Sequence, residues 1–247
     1  MTVSVDAVES APGPRWTHKR FITMLGDCYG TGPRGGVNTA AVADYAGVSR
    51  STVSRWIAPG ETRYQLGVPA PRINQLQLAP PMVELRAAQQ YRHALQAIAD
   101  IDSGSGGLLE VWEGQGWLKP HRVAVVDLAG KPWLQVVVNR AATARRKPPH
   151  RSESTIQLSS SGSGIGQLRA WDDLHRDDNP VTQVVVPHWF YAQILVRAVM
   201  VRQWNWRVHP SRHKLAVGRT RVWMPEAPAV QLRSLARQSG VPVTHSV

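Results

Sequence analysis

One short stretch of the chain carries closely spaced side chains that donate hydrogen bonds. Residues 50–55 read RSTVSR, so two arginines enclose two serines and a threonine. At helical spacing these polar side chains share one side of a helix. A guanidinium group can donate two parallel hydrogen bonds to O6 and N7 of guanine in the major groove of a duplex, and hydroxyl groups can donate to base edges or phosphates. The chemistry indicated is recognition of double-stranded nucleic acid.

Two helices and the turn between them must position these donors, and residues 39–58 match the helix-turn-helix pattern position by position. Ala43 falls where the two helices come closest, Gly47 falls in the turn, and Ser49 is placed to cap the second helix. The apolar positions predict the inward faces, at Val42, Ala46, Val48, Val53 and Trp56. The polar positions predict the outward faces, at Asp44, Tyr45, Arg50, Ser51, Ser54 and Arg55.

The segment VADYAGVSRSTVSRWI resembles the DNA-reading headpiece of the lactose-repressor family, and equally the N-terminal unit of many phage repressors and small terminase subunits. The resemblance covers only about 20 residues of the 247. It implies that Arg50, Ser51 and Arg55 read bases. It implies phosphate contacts from the hydroxyl residues, at Thr39, Ser49, Thr52 and Ser54. The structural positions of the motif are Ala43, Gly47 and Val53.

The rest of the chain departs from the lactose-repressor pattern. A predicted helix over residues 17–29 precedes the motif, with apolar residues at helical spacing at Phe21, Met24, Leu25 and Cys28. This helix predicts a three-helix unit of the homeodomain-like kind. No sugar-binding domain follows, so no small-molecule effector is expected, and double-stranded DNA is the predicted partner.

Positive charge is concentrated in the second half of the chain. The formal net charge is +12, of which residues 1–64 contribute +2, residues 108–150 contribute +4 and residues 181–247 contribute +8. Such an excess favours a polyanionic partner. Further phosphate contacts are predicted at Arg140, Arg145, Arg146, Lys147, Arg207, Arg212 and Lys214. A merely solvated basic loop is the alternative for residues 139–151, and core packing is favoured over base stacking for Trp204 and Trp206.

Prolines and glycines divide the chain into four parts. Residues 1–14 read as a disordered leader, residues 15–60 as the helix-turn-helix domain, residues 61–80 as a Pro-rich linker and residues 81–247 as a second domain that contacts DNA, oligomerises or does both. The expected fold class is a mainly α, three-helix N-terminal domain followed by an α+β domain with a β-hairpin. A plain α+β core is favoured over a winged-helix-like one.

Hydrophobic patterns predict the elements of the second domain. Residues 81–101 read as a helix with an apolar stripe that includes Leu85 and Ile98, and residues 108–114 as a short helical turn. Residues 121–128 and 133–138 read as the two strands of the hairpin. Further strands are predicted at residues 154–158, 181–187 and 218–224, with a buried helix at 188–204 and an amphipathic helix at 227–239.

Other clusters give little support for enzymatic chemistry. The aspartates near His175 form one run, whereas nuclease carboxylates come together from separate elements. These are Asp172, Asp173, Asp177 and Asp178. His209 and His213 have the spacing of a metal pair but no third ligand nearby. We therefore expect no enzyme activity, no metal and no cofactor.

The single cysteine, Cys28, excludes an intramolecular disulfide, and no apolar run reaches 18 residues. These features fit a reducing compartment and predict a cytoplasmic protein without a membrane segment, and the predicted binding to DNA implies association with the nucleoid. The predicted function is that of a sequence-specific transcriptional repressor, phage-like or actinobacterial in type, which acts by operator occupancy. A small terminase subunit that marks viral DNA for packaging is the alternative, and a replication initiator or nuclease is the third. A homodimer partner or the same chain would supply a second reading unit.

Overall fold

The polypeptide folds as a group of helices, followed by a five-stranded antiparallel sheet with further helices packed against it. The computed structural model describes residues 3–59, 67–104, 107–141 and 180–244. The helices are α1 (His18–Tyr29), α2 (Thr39–Ala46), α3 (Arg50–Ile57), α4 (Ala70–Gln77), α5 (Pro81–Ser103), α6 (Leu109–Gly114), α7 (Trp189–Arg202) and α8 (Leu232–Gln238). The strands are β1 (His121–Asp127), β2 (Leu134–Arg140), β3 (Pro180–Val186), β4 (Arg207–Val208) and β5 (Val222–Trp223).

The helices α1 to α4 form a unit that we call the helical head. The predicted helix over residues 17–29 is confirmed as α1, which begins after Thr17, whose hydroxyl oxygen accepts a hydrogen bond from Arg20 N at 3.3 Å. Its apolar residues are buried as their spacing predicts, at Phe21, Met24, Leu25 and Cys28. The helix α1 packs against α2 and α4, and α3 packs against α2.

Part of the predicted linker is helical. The helix α4 lies within residues 61–80, begins directly after Pro69 and buries Ile73 and Leu76. The proline at position 71 lies in the first turn of α4. It is tolerated there because the backbone amides of the first turn have no helical partners in any case. The helix packs against α1 and α2. Residues 67–80 therefore support the head, while residues 60–66 lie outside the described residues.

The sheet is the centre of the larger, C-terminal part of the chain, which we call the body (α5 to α8 and β1 to β5). Its strand order is β3-β1-β2-β5-β4. The predicted hairpin is confirmed, since β1 pairs with β2 and Val125 lies opposite Val136. Both hairpin strands also pair on their other sides, with β3 and β5, and most of their residues are buried. A wing would be an exposed two-stranded flank, so this arrangement gives no support to the winged-helix-like alternative.

The helix α7 packs against α5, α8 and the sheet. It is buried nearly all round, as predicted for residues 188–204. The helix α5 buries Ala94, Ala97 and Ile98, whereas Leu85, which was expected in its apolar stripe, is 47% exposed. The strand predicted at 218–224 is shorter, at Val222–Trp223, and the final helix is shorter, at Leu232–Gln238.

Residues 3–14 pack against the body, which differs from the disordered leader expected there. Val5, Val8 and Ala11, spaced three apart, are buried. Val5 N donates to the Tyr91 hydroxyl at 3.1 Å, and Ala11 N donates to the Arg202 carbonyl oxygen at 2.7 Å. The prolines and the glycine in this stretch predict disorder. The regularly spaced apolar residues are nevertheless buried, because distant parts of the chain form a surface against which they pack.

The head is docked on the body. Arg20 on α1 forms an ion pair with Glu226 at 3.2 Å, and its guanidinium carbon lies 5.3 Å from the ring centre of Trp206. The Gln77 side chain at the end of α4 donates to the Asn205 carbonyl oxygen at 2.9 Å. Buried apolar residues of head and body belong to one continuous cluster. The two parts therefore share a core.

Candidate nucleic-acid interface

The turn between α2 and α3 has the geometry that its sequence predicts. Gly47 adopts the left-handed conformation, with φ 64° and ψ 39°, and its amide donates to the carbonyl oxygens of Ala43 and Asp44. No neighbouring atom would lie within 4 Å of an added Cβ, so the backbone conformation alone favours glycine here. Val42, Ala43 and Val53 are buried between the helices. The turn thus fixes the direction in which α3 leaves α2.

The first turn of α3 is organised by Ser49. Its hydroxyl oxygen accepts a hydrogen bond from Thr52 N at 3.2 Å and lies 2.8 Å from the Ser51 hydroxyl oxygen. The Arg55 guanidinium donates to the Thr52 hydroxyl at 3.4 Å. These contacts connect Ser49, Ser51, Thr52 and Arg55 near the N-terminal end of α3, where unpaired backbone amides also favour anions.

The outward side of α3 carries positive charge and hydroxyl groups. Arg50, Ser51, Ser54 and Arg55 are exposed, whereas Val53 and Trp56 are buried on the opposite side. The helix contains no acidic residue. The four exposed side chains and the half-buried Thr52 can therefore contact a polyanion without first breaking an ion pair to a carboxylate on the same helix.

Long-range contacts hold the two helices in place. The imidazole Nε2 of His18 on α1 lies 3.0 Å from the Ile57 carbonyl oxygen, at the end of α3. Arg72 on α4 donates to the Ala46 carbonyl oxygen at 3.2 Å, where a cation is favourable at the end of α2. Tyr45, expected to point outward, instead donates its hydroxyl to the Leu78 carbonyl oxygen at 2.8 Å. Sequence spacing could not reveal these partners, since each pair is separated by 26 or more residues.

The loop before α2 adds a cation that the sequence analysis missed. Thr31 and Val37 form an isolated antiparallel bridge, and Gly32 N donates to the Gly36 carbonyl oxygen at 2.7 Å. The loop is thus a small hairpin with Arg34 exposed near its tip. It leads directly to Asn38, which caps α2, and to Thr39, which is half-buried as the first residue of that helix.

The predicted phosphate contacts in the body have different surroundings. Arg140 is exposed, although its guanidinium donates to the Gln115 carbonyl oxygen at 3.1 Å. Arg212 is exposed and Lys214 is half-buried. Burial raises the pKa of the Asp27 carboxyl group, and the nearby Lys214 ammonium group lowers it by a smaller amount. Arg145, Arg146 and Lys147 lie outside the described residues.

Arg207 is a correction to the predicted phosphate contacts. Its residue is 4% exposed, and both terminal nitrogens of its guanidinium donate to the Glu84 carboxylate. The guanidinium also lies over the ring of Trp204, at 4.9 Å from its centre. A side chain paired in this way inside the body cannot reach a DNA backbone. Trp206 is buried too and donates its indole N–H to the Pro12 carbonyl oxygen, as the core reading of this residue predicts.

Among the described residues, no group of three or more His, Cys, Asp or Glu side chains could hold a metal ion. Burial raises the pKa of the Cys28 thiol on α1 to about 12. A hydrogen bond between this thiol and the backbone of His209 lowers the pKa by a smaller amount. The aspartates at 172–178 and the strand predicted at 154–158 lie outside the described residues. Within those residues, no helix is both long and apolar enough to cross a membrane.

The chain was compared with models of known protein families, with curated proteins and with solved structures, and none of the three comparisons finds a match.

Proposed function

We propose that this protein binds double-stranded DNA sequence-specifically and represses transcription by occupying its operator, in the manner of phage-like or actinobacterial repressors. In this proposal α2 and α3 form a helix-turn-helix unit, and α3 enters the major groove. Arg50, Ser51 and Arg55 read bases. Thr39, Ser49, Thr52 and Ser54 contact phosphates. Binding to chromosomal DNA would place the protein on the nucleoid.

One observation carries the proposal. The exposed side of α3 offers two arginines and a group of hydroxyls, without a carboxylate, on a helix fixed at both ends. A guanidinium that projects into the major groove can donate two hydrogen bonds to one guanine. Ser49 and His18 hold the two ends of α3, and Arg72 holds the end of α2 next to it. Discrimination between base pairs requires such preorganisation of the reading side chains.

The body supports the proposal through its surface charge. Arg140 and Arg212 are exposed, and the segment from 181 to 247 carries a net charge of +8. Cations that neutralise phosphates supply affinity that does not depend on sequence. Since α3 alone spans only about half a turn of DNA, the body or a second copy of the chain would complete a useful site.

The test begins by selecting duplexes that bind the full-length protein from a random library. We expect Arg55→Ala to lose about 1–3 kcal/mol of affinity for the selected duplex, because a guanine would lose its partner. Affinity for random duplex should change little. Fluorescence anisotropy at one fixed salt concentration measures both affinities.

Arg92→Ala is the matched control, since Arg92 is an exposed arginine on α5, outside the proposed interface. It should leave both affinities unchanged. If Arg55→Ala discriminates between the two duplexes as well as the unaltered protein does, α3 is not the reading helix.

A further inference from the structure

A cleft in the body brings several arginines together around one carboxylate. It has a volume of about 290 Å³ and lies between α5, α7 and the segment at residues 218–221. Its charged lining consists of Glu84 and Arg86 on α5, Arg197 on α7, Arg207 on β4, and Arg221. The described charged lining therefore contains four guanidinium groups and a single carboxylate.

The carboxylate is shared between two of the arginines. Glu84 accepts two hydrogen bonds from Arg207 and lies 3.6 Å from a terminal nitrogen of Arg197. Arg207 is 4% exposed, and its remaining contacts are the Thr220 carbonyl oxygen and the ring of Trp204. One negative charge thus balances two positive charges in a largely buried place, where an unbalanced charge is unfavourable.

Arg86 adds a further positive charge to this group. Its side chain is exposed, it lines the cleft, and it forms no ion pair with any residue in the described part of the chain. Without counting Arg221, which donates to the Gln193 side chain at 3.3 Å, three guanidinium groups face one carboxylate. Within the part of the chain that the structure describes, this leaves two positive charges without a carboxylate, which a ligand can balance.

We infer that this cleft binds the phosphate group of a small organic phosphate monoester. Such a group carries a charge between about −1.5 and −2 at neutral pH and presents three acceptor oxygens. Guanidinium groups donate to it in pairs, with better geometry than an ammonium group offers. A carboxylate would balance only one of the two positive charges.

The rest of the lining suits a small organic group next to the phosphate. Val83, Ala87 and Tyr91 on α5 face Val196 and Met200 on α7 across the cleft. The volume of about 290 Å³ lies at the lower end of the range for ligand sites, so the organic part must be small. A duplex backbone is a poor occupant, because Arg207 and Glu84 lie inside the body rather than on a surface that a rigid duplex can touch.

Isothermal titration calorimetry of the full-length protein with phenyl phosphate, in buffer free of phosphate and sulfate, tests the inference. We expect one site per chain. Arg86→Gln and Arg197→Gln should each weaken binding roughly tenfold or more, as removal of a charge-assisted hydrogen bond does. Arg92→Gln, on the same helix α5 but outside the cleft, should leave binding unchanged. Benzoate, with one negative charge, should bind at least tenfold more weakly than phenyl phosphate.

Several results would overturn the inference: no binding of phenyl phosphate to the folded protein, equal binding by the Arg86→Gln variant, or equal binding of benzoate. Arg86 is exposed, so its variant tests the site even where Arg197→Gln does not fold. Binding of the selected DNA duplex separates the two sources of phosphate. If Arg86→Gln weakens duplex binding and leaves phenyl phosphate unaffected, the group belongs to a DNA contact. The inference does not depend on the proposed role of α3, since its assay contains no DNA.

Discussion

At the scale of single residues, Gly47 decides whether α2 and α3 can meet at the observed angle. Its φ of 64° is strained for any residue with a branched β-carbon. We expect Gly47→Val to destabilise the protein by about 1–3 kcal/mol, and to weaken DNA binding as the turn rearranges. Thermal unfolding followed by circular dichroism, together with the anisotropy assay, measures both effects.

Gly36 supplies the matched control for this substitution. It is exposed, its φ lies outside the left-handed region, and an added Cβ would meet no atom within 4 Å. Gly36→Val should therefore leave stability nearly unchanged. A Gly47→Val protein that stays fully stable but no longer binds DNA would show that Gly47 contacts the duplex instead of shaping the turn.

His188 makes the stability of the body depend on pH. Burial lowers its pKa to about 4, with a smaller rise caused by Asp102 and a further lowering caused by His121. The unfolded chain has a pKa near 6.5, so it binds the proton more readily than the folded chain. The stability that neutral His188 provides is complete above about pH 6.5 and is lost as the pH falls toward 4.

His188→Asn should reduce this loss. His188 caps α7 by accepting a hydrogen bond from Tyr191 N, and asparagine can still cap the helix without titrating. We expect the unfolding midpoint of the variant to fall less between pH 7 and pH 5 than that of the unaltered protein. Part of the fall should remain, because burial also lowers the pKa of His209 to about 4. Parallel midpoint curves for the two proteins would exclude His188 as a source.

Arg207 shows what residue types and spacing leave open. In the sequence it stands among tryptophans, histidines and other cations, which is typical of a nucleic-acid surface. Its actual partner, Glu84, is 123 residues away, so no local pattern could indicate that the guanidinium is buried. By contrast, the roles of Gly47 and Ser49 in the turn are local, and the sequence predicts their geometry well.

At the scale of the elements, the helix α4 supports α1 and α2, although the sequence predicts a linker at its position. Leu76 is fully buried, and Tyr29 on α1 donates its hydroxyl to the Leu76 carbonyl oxygen at 2.8 Å. We expect Leu76→Ala to destabilise the protein by about 2–5 kcal/mol, through lost burial and the cavity left behind. Asn74→Ala, at an exposed position of the same helix, should have little effect. Equal unfolding midpoints for the two variants would mean that these residues act only as a linker.

Hydrophobic spacing predicts an element well where the pattern is strong along the whole element. This holds for α1, whose four buried residues recur at helical spacing, and for α7, which is apolar nearly all round. The place of the hairpin in the sheet could not be predicted, because β3 and β5 lie far along the chain from β1 and β2. Short elements such as α4 and β5 depend on tertiary partners, so their sequences alone predict a linker or the wrong length.

At the scale of the whole molecule, the head and the body share one core, so exposed cations of the body are candidates to extend the interface proposed on α3. The sequence places four cations at the end of β2 and just after it, at Arg140, Arg145, Arg146 and Lys147. If all four contact phosphates, changing them to Gln should reduce the slope of log K against log salt by about 3–4, at roughly 0.9 for each contact. Binding of the selected duplex over a series of salt concentrations measures the slope.

The control changes exposed arginines elsewhere on the body, with Arg233→Gln and Arg237→Gln on α8. It lowers the net charge without touching the proposed interface, so its slope should stay close to that of the unaltered protein. An unchanged slope in the four-residue variant would remove this segment from the DNA interface and leave oligomerisation as the role of the body.

Residues 3–14 can be fully buried only late in the synthesis of the chain, because some of their partners lie near its C-terminal end. Ser4 N donates to the Ser239 carbonyl oxygen at 3.1 Å, and Ala11 N donates to the carbonyl oxygen of Arg202. A ribosome that adds about 5–20 residues per second needs on the order of 10–50 s to travel from Ser4 to Ser239. Until Ser239 has been added, the surface that buries Val5, Val8 and Ala11 is incomplete, although Tyr91 and Arg202 are already present. We therefore expect a nascent chain that stalls before α8 to leave these apolar residues partly uncovered, and their burial to be complete only after the last helix has formed.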